Sequence, residues 1–247
     1  MRREGFAEHL EHFEVLADRE LMAGFPTVAR LQVRDLEPLL GALDYSFAQP
    51  YDARFGKMMV KTASHLLAAG TGAIYAFAEA GEISALIAPA LEEDEPRDAR
   101  ELLIRLVAEA SAKLSLLLGG VAAFDGRLYE LPNPQLALEY FRWRQEQARL
   151  RALDRYCGFV LAKGAAPGEG TLGVLADMAE DEKVEILRNS EIDFDGLPIW
   201  QRRGAGIYVR HPNGTPEPEA ARLVVDPDLP VGEAYTEYLK RFFYART

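Results

Sequence analysis

The sequence predicts an α+β fold, a ferredoxin-like βαββαβ sheet followed by a small C-terminal α/β appendage. Three observations predict it. Strand and helix periodicities follow one another in the order strand, helix, strand, strand, helix, strand up to about residue 162; the second and third strands flank a short tip containing glycine; and Gly or Pro stops nearly every element. Right-handed crossovers fold that order into a split βαβ sheet with two helices on one face.

The first strand is read at 27–33, TVARLQV, an alternating β-branched run bounded by Gly24-Phe25-Pro26. A loop and a short helix then cross to Pro50. Residues 52–69 carry Phe55, Met58, Met59, Ala63, Leu66 and Leu67 in a 3.6-residue stripe that ends at Gly70 and Gly72, which predicts a helix. The runs AIYAFA (73–78) and ISALIA (83–88) surround Glu79-Ala80-Gly81-Glu82, the spacing of a β-hairpin with Gly at the tight position. The charge run LEEDEPRDAR leads into a second helix over 98–118, ended by Gly119-Gly120. AAFDGRLYEL (122–131) reads as the fourth strand, and Pro132 and Pro134 separate it from a long helix over 135–162. Beyond the Gly-rich break at 164–173 a helix is expected at 181–189. The division expected is 1–163 for the main domain and 164–247 for the appendage.

Composition narrows the class. The chain has 247 residues, 49% of them hydrophobic and 27% charged, so it can bury a sizeable core and is neither disordered nor collagen-like. No apolar run approaches the roughly 20 residues needed to span a bilayer, and the N-terminal stretch alternates charge with single apolar residues, so no membrane and a cytoplasmic location are expected. A net charge of −11 argues against a broad nucleic-acid surface. Cys157 is alone, and His9, His12, His65 and His211 are scattered, so zinc spacing is absent; His9 and His12, one helical turn apart, read as a surface pair. The most basic stretch is FRWRQEQARLRALDR, with Arg142, Arg144, Arg149, Arg151 and Arg155 on one helix.

On sheets of this topology, polymerases and cyclases place one carboxylate at the end of the first strand and another at the hairpin. Adjacent strands lie about 4.8 Å apart, so the two points converge and hold a metal pair. Here those places offer Asp35, just past the first strand, and Glu79 and Glu82 at the tip. Carboxylates suit magnesium, so Glu82, Glu79 and Asp35 are the candidate catalytic acids, with Glu82 and Asp35 as metal ligands. Solvation of a turn is the other reading of all three.

Several segments in order resemble the tRNA-His guanylyltransferase superfamily, including its bacterial and archaeal guanylyltransferase-like members. Arg30-Leu31 precedes the first motif; QPYDARFGKMMVKTASHLL is similar to K-P-F-D-x-R-F-x-x-x-M-x-x-T-A; GEIS is similar to S-D-E-I-S; and Lys113-Leu114-Ser115, AAFDGRLYELP, YFRWRQEQA and EKVEILRNSEIDFDGLPIWQRRGAGIY follow in family order. The resemblance covers about residues 10–210. It implies a palm domain that binds a nucleoside triphosphate and Mg2+, activates a tRNA 5′-end and adds a nucleotide there, in the 3′-to-5′ direction. It also implies phosphate or nucleotide contacts at Arg30, Arg34, Lys113 and Ser115, and a homo-oligomer, a dimer or tetramer. Exposed amphipathic faces on 52–69 and 98–118 would be buried in that assembly.

The departures fall on the chemistry. Where the family writes R-x-D-G-R-x-F, this chain has Gln32 at the metal-binding aspartate and Val33 at the glycine; the second aspartate, in S-D-E, is Gly81. Gln49 replaces a lysine, Ala110 an arginine, and Leu150-Arg151-Ala152-Leu153-Asp154-Arg155 an asparagine-rich stretch. Phe124, Asp125, Arg127, Trp143, Gln145, Pro198, Trp200 and Gly204 keep the pattern, and Asp125 is expected to pair with Arg127 or cap a neighbour. Arg144, Arg151 and Arg155 recur at spacings of seven and four on one helical face, read as a solvated or interface face or as an RNA or partner contact. Three functions stay open: a nucleotidyltransferase acting on tRNA with lost or weakened addition, a retasked transferase acting on a small molecule, and a non-catalytic tRNA- or protein-binding homologue.

Overall fold

The computed structural model describes residues 19–42, 49–89, 97–164, 175, 177–210 and 222–244. The His9–His12 pair, most of the acidic run after Leu91 and the Gly-rich break past Gly164 lie outside the described residues.

Six strands form one antiparallel sheet in the order β4-β1-β3-β2-β5-β6. They are β1 (Thr27–Val33), β2 (Ala73–Glu79), β3 (Glu82–Ile87), β4 (Phe124–Glu130), β5 (Ala205–Arg210) and β6 (Arg222–Asp226). The helices are α1 (Leu36–Ala42), α2 (Ala53–Ala68), α3 (Ala99–Leu118), α4 (Pro134–Gly164), α5 (Glu180–Asn189), α6 (Ile199–Arg203) and α7 (Glu233–Tyr244). The first four strands carry the expected βαββαβ order, and their ends lie within two residues of those read from the sequence. The fold is an α+β palm.

Local chemistry explains the boundaries. Asp52 caps α2 by accepting from the Arg54 backbone N–H at 2.6 Å, and Asp98 caps α3 by accepting from Glu101 N–H at 2.6 Å. Gly119 closes α3 in the left-handed region, φ 70°. The side chain of Asn133 accepts from Leu136 N–H, and Pro134 follows it at the first helical position, where a missing N–H costs nothing.

Strand alternation divides the core. Ala29, Leu31, Val33, Ala76, Ile83, Ala85 and Phe124 point to the face covered by α2 and α3. Val28, Tyr75, Phe77 and Leu86 point to the other face, covered by α4 and α7. A third cluster joins the C-terminal half of α4 to α5 through Ala152, Leu153, Cys157, Leu187 and Phe194. The apolar stripes of α2 and α3, expected to be exposed and buried on neighbouring copies, are covered by the chain's own sheet. Exposed apolar side chains on and after α3 include Ile104, Leu116 and Val121.

The C-terminal stretch does more than sit beside the palm. β5 pairs with β2 (Tyr75 opposite Tyr208, Ala78 opposite Ala205) and β6 with β5, so both continue the sheet. Gly204 makes this junction possible: its φ is +75°, and a Cβ there would lie 2.6 Å from Phe77 Cζ and 2.9 Å from the Ala78 carbonyl oxygen. At the β2–β3 tip the left-handed residue is Ala80, φ 42°, rather than the expected Gly81. Gly81 leaves room for Leu36 instead: a Cβ there would come 2.7 Å from Leu36 Cδ2, the end of a side chain that would have to turn.

Candidate functional site

The side chains that matter stand on the α4 face of the sheet. In the register, Gln32 lies between Glu82 on β3 and Asp125 on β4, and Glu79 faces Glu82 across the hairpin. Period-2 alternation therefore sets Arg30, Gln32, Glu79, Glu82, Ser84, Asp125 and Arg127 on one face. The two tip glutamates are brought together with Gln32, the first-strand position of the family motif; Asp35, the acid expected to share a metal with Glu82, lies beyond the paired residues of β1.

What they meet is a set of guanidinium groups. Arg144, 1% exposed, reaches from α4 and donates through Nη2 to Glu79 Oε1 (3.0 Å) and Glu82 Oε2 (2.7 Å), and through Nε to Ser84 Oγ (3.2 Å). Arg151, two turns on, donates to Glu79 Oε1 and to Glu82 Oε1 (2.7 Å). Arg30 donates from β1 to Glu82 Oε2 at 2.8 Å. Tyr140 shares the Ser84 hydroxyl at 3.1 Å. Burial pushes the Glu82 carboxyl up, but the Arg30 hydrogen bond and the Arg144 and Arg151 charges together outweigh it and hold it below the usual range. Glu79, buried, moves the other way, because desolvation outweighs the charges of Arg151, Arg144 and Arg155.

Asp35 sits in the turn after β1 with φ 49°, exposed, its carbonyl accepting from Leu39 N–H. Arg34 pairs with Asp125, both exposed, so Asp125 finds Arg34 and not the expected Arg127. Lys113 and Ser115 lie on α3, on the opposite layer of the sheet. Ser115 Oγ donates to the Ala122 carbonyl and accepts from its N–H, which fastens the turn before β4. Arg155 pairs with Glu37 at 3.3 Å and lies over the Tyr51 ring at 5.3 Å. Of Arg144, Arg151 and Arg155, read as a solvated or interface face or an RNA or partner contact, Arg144 is buried against the sheet and so is not solvated, while the side chains of Arg151 and Arg155 stay 36% and 31% exposed.

A divalent ion does not fit this arrangement. Gln32 offers a neutral amide and Gly81 no side chain, while three of the four oxygens on Glu79 and Glu82 already accept from arginine. Among the described residues no group of three His, Cys, Asp or Glu is placed to hold a metal. A dication here would face three guanidinium groups at contact range, which is repulsive.

Beside the tip opens a cleft of about 340 Å³ that the sequence did not reveal. Tyr51, Phe55, Met59, Ala80, Trp200 and Val225 form apolar walls, and Lys57, Lys61, Arg155 and Glu79 stand at its polar margin. Tyr51 stacks on Tyr156 (5.6 Å) and meets Trp200 edge-on (6.5 Å). A Cβ on Gly56 would lie 2.9 Å from Trp200, so the small residue lets the indole close the wall. Glu37 and Asp52 line the cleft as well, so three acids face three cations at the margin, and the flat aromatic walls suit a planar ligand.

Comparisons with known proteins agree with this architecture. A bacterial tRNA(His) guanylyltransferase (Thg1)-like protein in complex with GTP superposes with a TM-score of 0.75 at 20% identity, covering 97% of this chain and 99% of that one. A bacterial structure of the same description in complex with ATP gives 0.75 at 20% identity, over 99% and 100% of the two chains. The tRNA(His) guanylyltransferase of Saccharomyces cerevisiae gives 0.69 at 21% identity, over 81% and 91%. In sequence, tRNA(His) guanylyltransferase 1 of Arabidopsis thaliana is 28% identical over 87 residues, 35% of this chain, which spans only 15% of that protein. The sequence model of the family described as tRNAHis guanylyltransferase matches residues 7–132, from before β1 to the end of β4. With more than half of its length matched in this way and the palm built as described, the chain belongs to the tRNA-His guanylyltransferase family of nucleotidyltransferases.

Proposed function

We propose that this protein is a divergent family member in which Mg2+-dependent 3′-to-5′ nucleotide addition to tRNA is lost or weakened while a nucleotide site is kept. One observation carries the reading: Glu79 and Glu82, the acids nearest the family's metal positions, are engaged by Arg30, Arg144 and Arg151, and Gln32 and Gly81 supply no charge. The aromatic walls of the cleft at Tyr51, Phe55 and Trp200 support retention of a planar group such as a nucleobase. Two similar bacterial proteins are complexed with GTP and with ATP. Arg30 and Arg34 are the phosphate-contact candidates on this face; Lys113 and Ser115 belong to the other layer. Residues 164–247 act in this reading as an appendage that lends β5 and β6 to the palm. tRNA is the partner proposed, with a homo-oligomer in the cytoplasm as the working assembly.

A second reading, a transferase retasked to a small acceptor, is favoured by the apolar walls of the cleft and the chain's net charge of −11. The deciding experiment is an assay of guanylate addition to a tRNA 5′-end with Mg2+. Absent or very slow addition, with nucleotide still bound in calorimetry, supports the proposal; robust addition by the unaltered protein rejects it. Addition to a small acceptor but not to tRNA selects the second reading.

A further inference from the structure

The α4 face of the sheet carries its own positive charge. Arg30, Arg34, Arg127, Arg144 and Arg151 stand on it against the carboxylates of Glu79, Glu82 and Asp125, which leaves two positive charges, the charge of one divalent ion. This local balance is opposite in sign to the chain's net charge of −11. Donors also exceed acceptors: Arg144 Nη1 and Arg151 Nε find no hydrogen-bond partner. The guanidinium groups that reach solvent point the same way. The side chains of Arg30, Arg151 and Arg34 are 22%, 36% and 58% exposed, and Arg127, exposed, faces Arg30 in the β1–β4 register.

We infer that this face takes up the polyphosphate end of its ligand without a divalent ion, Arg30, Arg127 and Arg151 supplying the charge that a metal would otherwise bring. The inference rests on the nucleotide-site reading above and goes beyond it by removing the ion from binding. Planar guanidinium forks match phosphate oxygens in pairs, and their charge is fixed at every working pH. Arg144, enclosed and doubly bonded to the glutamates, positions the face; Arg151 and Arg127 are the groups that touch the ligand. A free dication competes with this mode, because it occupies the phosphate oxygens that the arginines need and is itself repelled from the face.

The test is calorimetric titration of inorganic tripolyphosphate into the full chain at low ionic strength, first in EDTA and then with excess Mg2+. Binding is expected in EDTA, weakened by Mg2+, and weakened about tenfold in Arg151→Gln and in Arg127→Gln, each loss being that of one charge-assisted contact. Arg142→Gln, whose partner is Glu233 on α7, serves as the control and is expected to bind as the parent does. Arg127 is exposed on an edge strand, so its variant keeps the fold even if Arg151→Gln does not. Binding only when Mg2+ is present, no binding in EDTA, or equal loss in Arg127→Gln and Arg142→Gln would each overturn the inference. Silence in EDTA together with absent guanylate addition removes this inference alone, whereas robust Mg2+-dependent addition removes the functional reading beneath it.

Discussion

Arg144 Nη2 lies 2.7 Å from Glu82 Oε2, joining the middle of α4 to the tip of a hairpin 62 residues earlier in the chain, and both groups are more than nine-tenths buried. The same nitrogen also serves Glu79. Removing Arg144 leaves Glu82 with Arg30 and Arg151 and Glu79 with Arg151, but takes away the enclosed donor that both share. Arg144→Gln is therefore expected to cost about 1.5–3 kcal/mol of stability, read as a fall in the denaturant midpoint at unchanged slope. A loss below about 1 kcal/mol, the ceiling for exposed pairs, would show that the group is solvated.

Arg151 stands at the open side of the same cluster, with 36% of its side chain exposed, so solvent screens it. Its contribution is smaller, about 1 kcal/mol after that discount. The coupling is specific, however: in a double-mutant cycle Arg151→Gln and Glu79→Gln are expected to lose less together than the sum of the two alone. Strict additivity would mean that the contact does not exist in solution.

The pH dependence separates the two glutamates. Glu82 has a folded pKa below the ordinary 4.5, so its contribution is present above that value and is lost as pH falls through the folded pKa. Glu79 has a folded pKa raised by burial, so its contribution has the opposite sign, present below 4.5 and lost as pH rises. Between roughly pH 6 and pH 3, melting temperatures of Glu82→Gln are expected to fall less steeply than the parent's, and those of Glu79→Gln more steeply. Identical slopes in both variants would refute the assignment.

Much of the fold was legible because its signals are local. Phe55, Met59, Ala63 and Leu66 announce α2 by spacing alone, and Gly119 marks the end of α3. β5 and β6 were hidden as sheet members, because AGIYVR and RLVVD are short and the decision to pair with β2 rests on Gly204 fitting under Phe77. The shared face of Arg144, Arg151 and Arg155 was legible from spacings of seven and four. Its direction was not, since a helix surface has no inside until it docks. The cleft was illegible for a related reason: Tyr51, Ala80, Trp200 and Val225 come from four separate segments, and only the tertiary fold brings them to one wall.

Cys157 is buried, its Sγ donating to the Lys183 carbonyl at 3.2 Å, and burial pushes its thiol up to about 11. Thiolate is the reactive form, so at pH 8 labelling by a disulfide reagent is expected to be slow and to track unfolding of the α4–α5 cluster. Rapid stoichiometric labelling of the native protein would show that α5 (Glu180–Asn189) does not cover this position.

Rebuilding the family's metal positions meets two barriers, one of space and one of charge. Gln32→Asp adds a carboxylate at an exposed strand position and is expected to fold. Gly81→Asp meets a modest barrier, because its Cβ would lie 2.7 Å from Leu36 Cδ2 and that side chain must turn off its rotamer at about 0.5–1.5 kcal/mol. Leu36→Ala removes the obstructing methyl and is expected to recover much of that loss, read as melting temperature. Charge is the second barrier: two added carboxylates still share the face with Arg30, Arg144 and Arg151, whose bonds to Glu79 and Glu82 are unchanged. Mn2+ titration of Gln32→Asp/Gly81→Asp/Leu36→Ala is therefore expected to give weak binding, and addition of Arg151→Asn to strengthen it by about tenfold, equivalent to about 1.4 kcal/mol. Tight Mn2+ binding by the variant that retains Arg151 would show that the guanidinium groups do not guard the site.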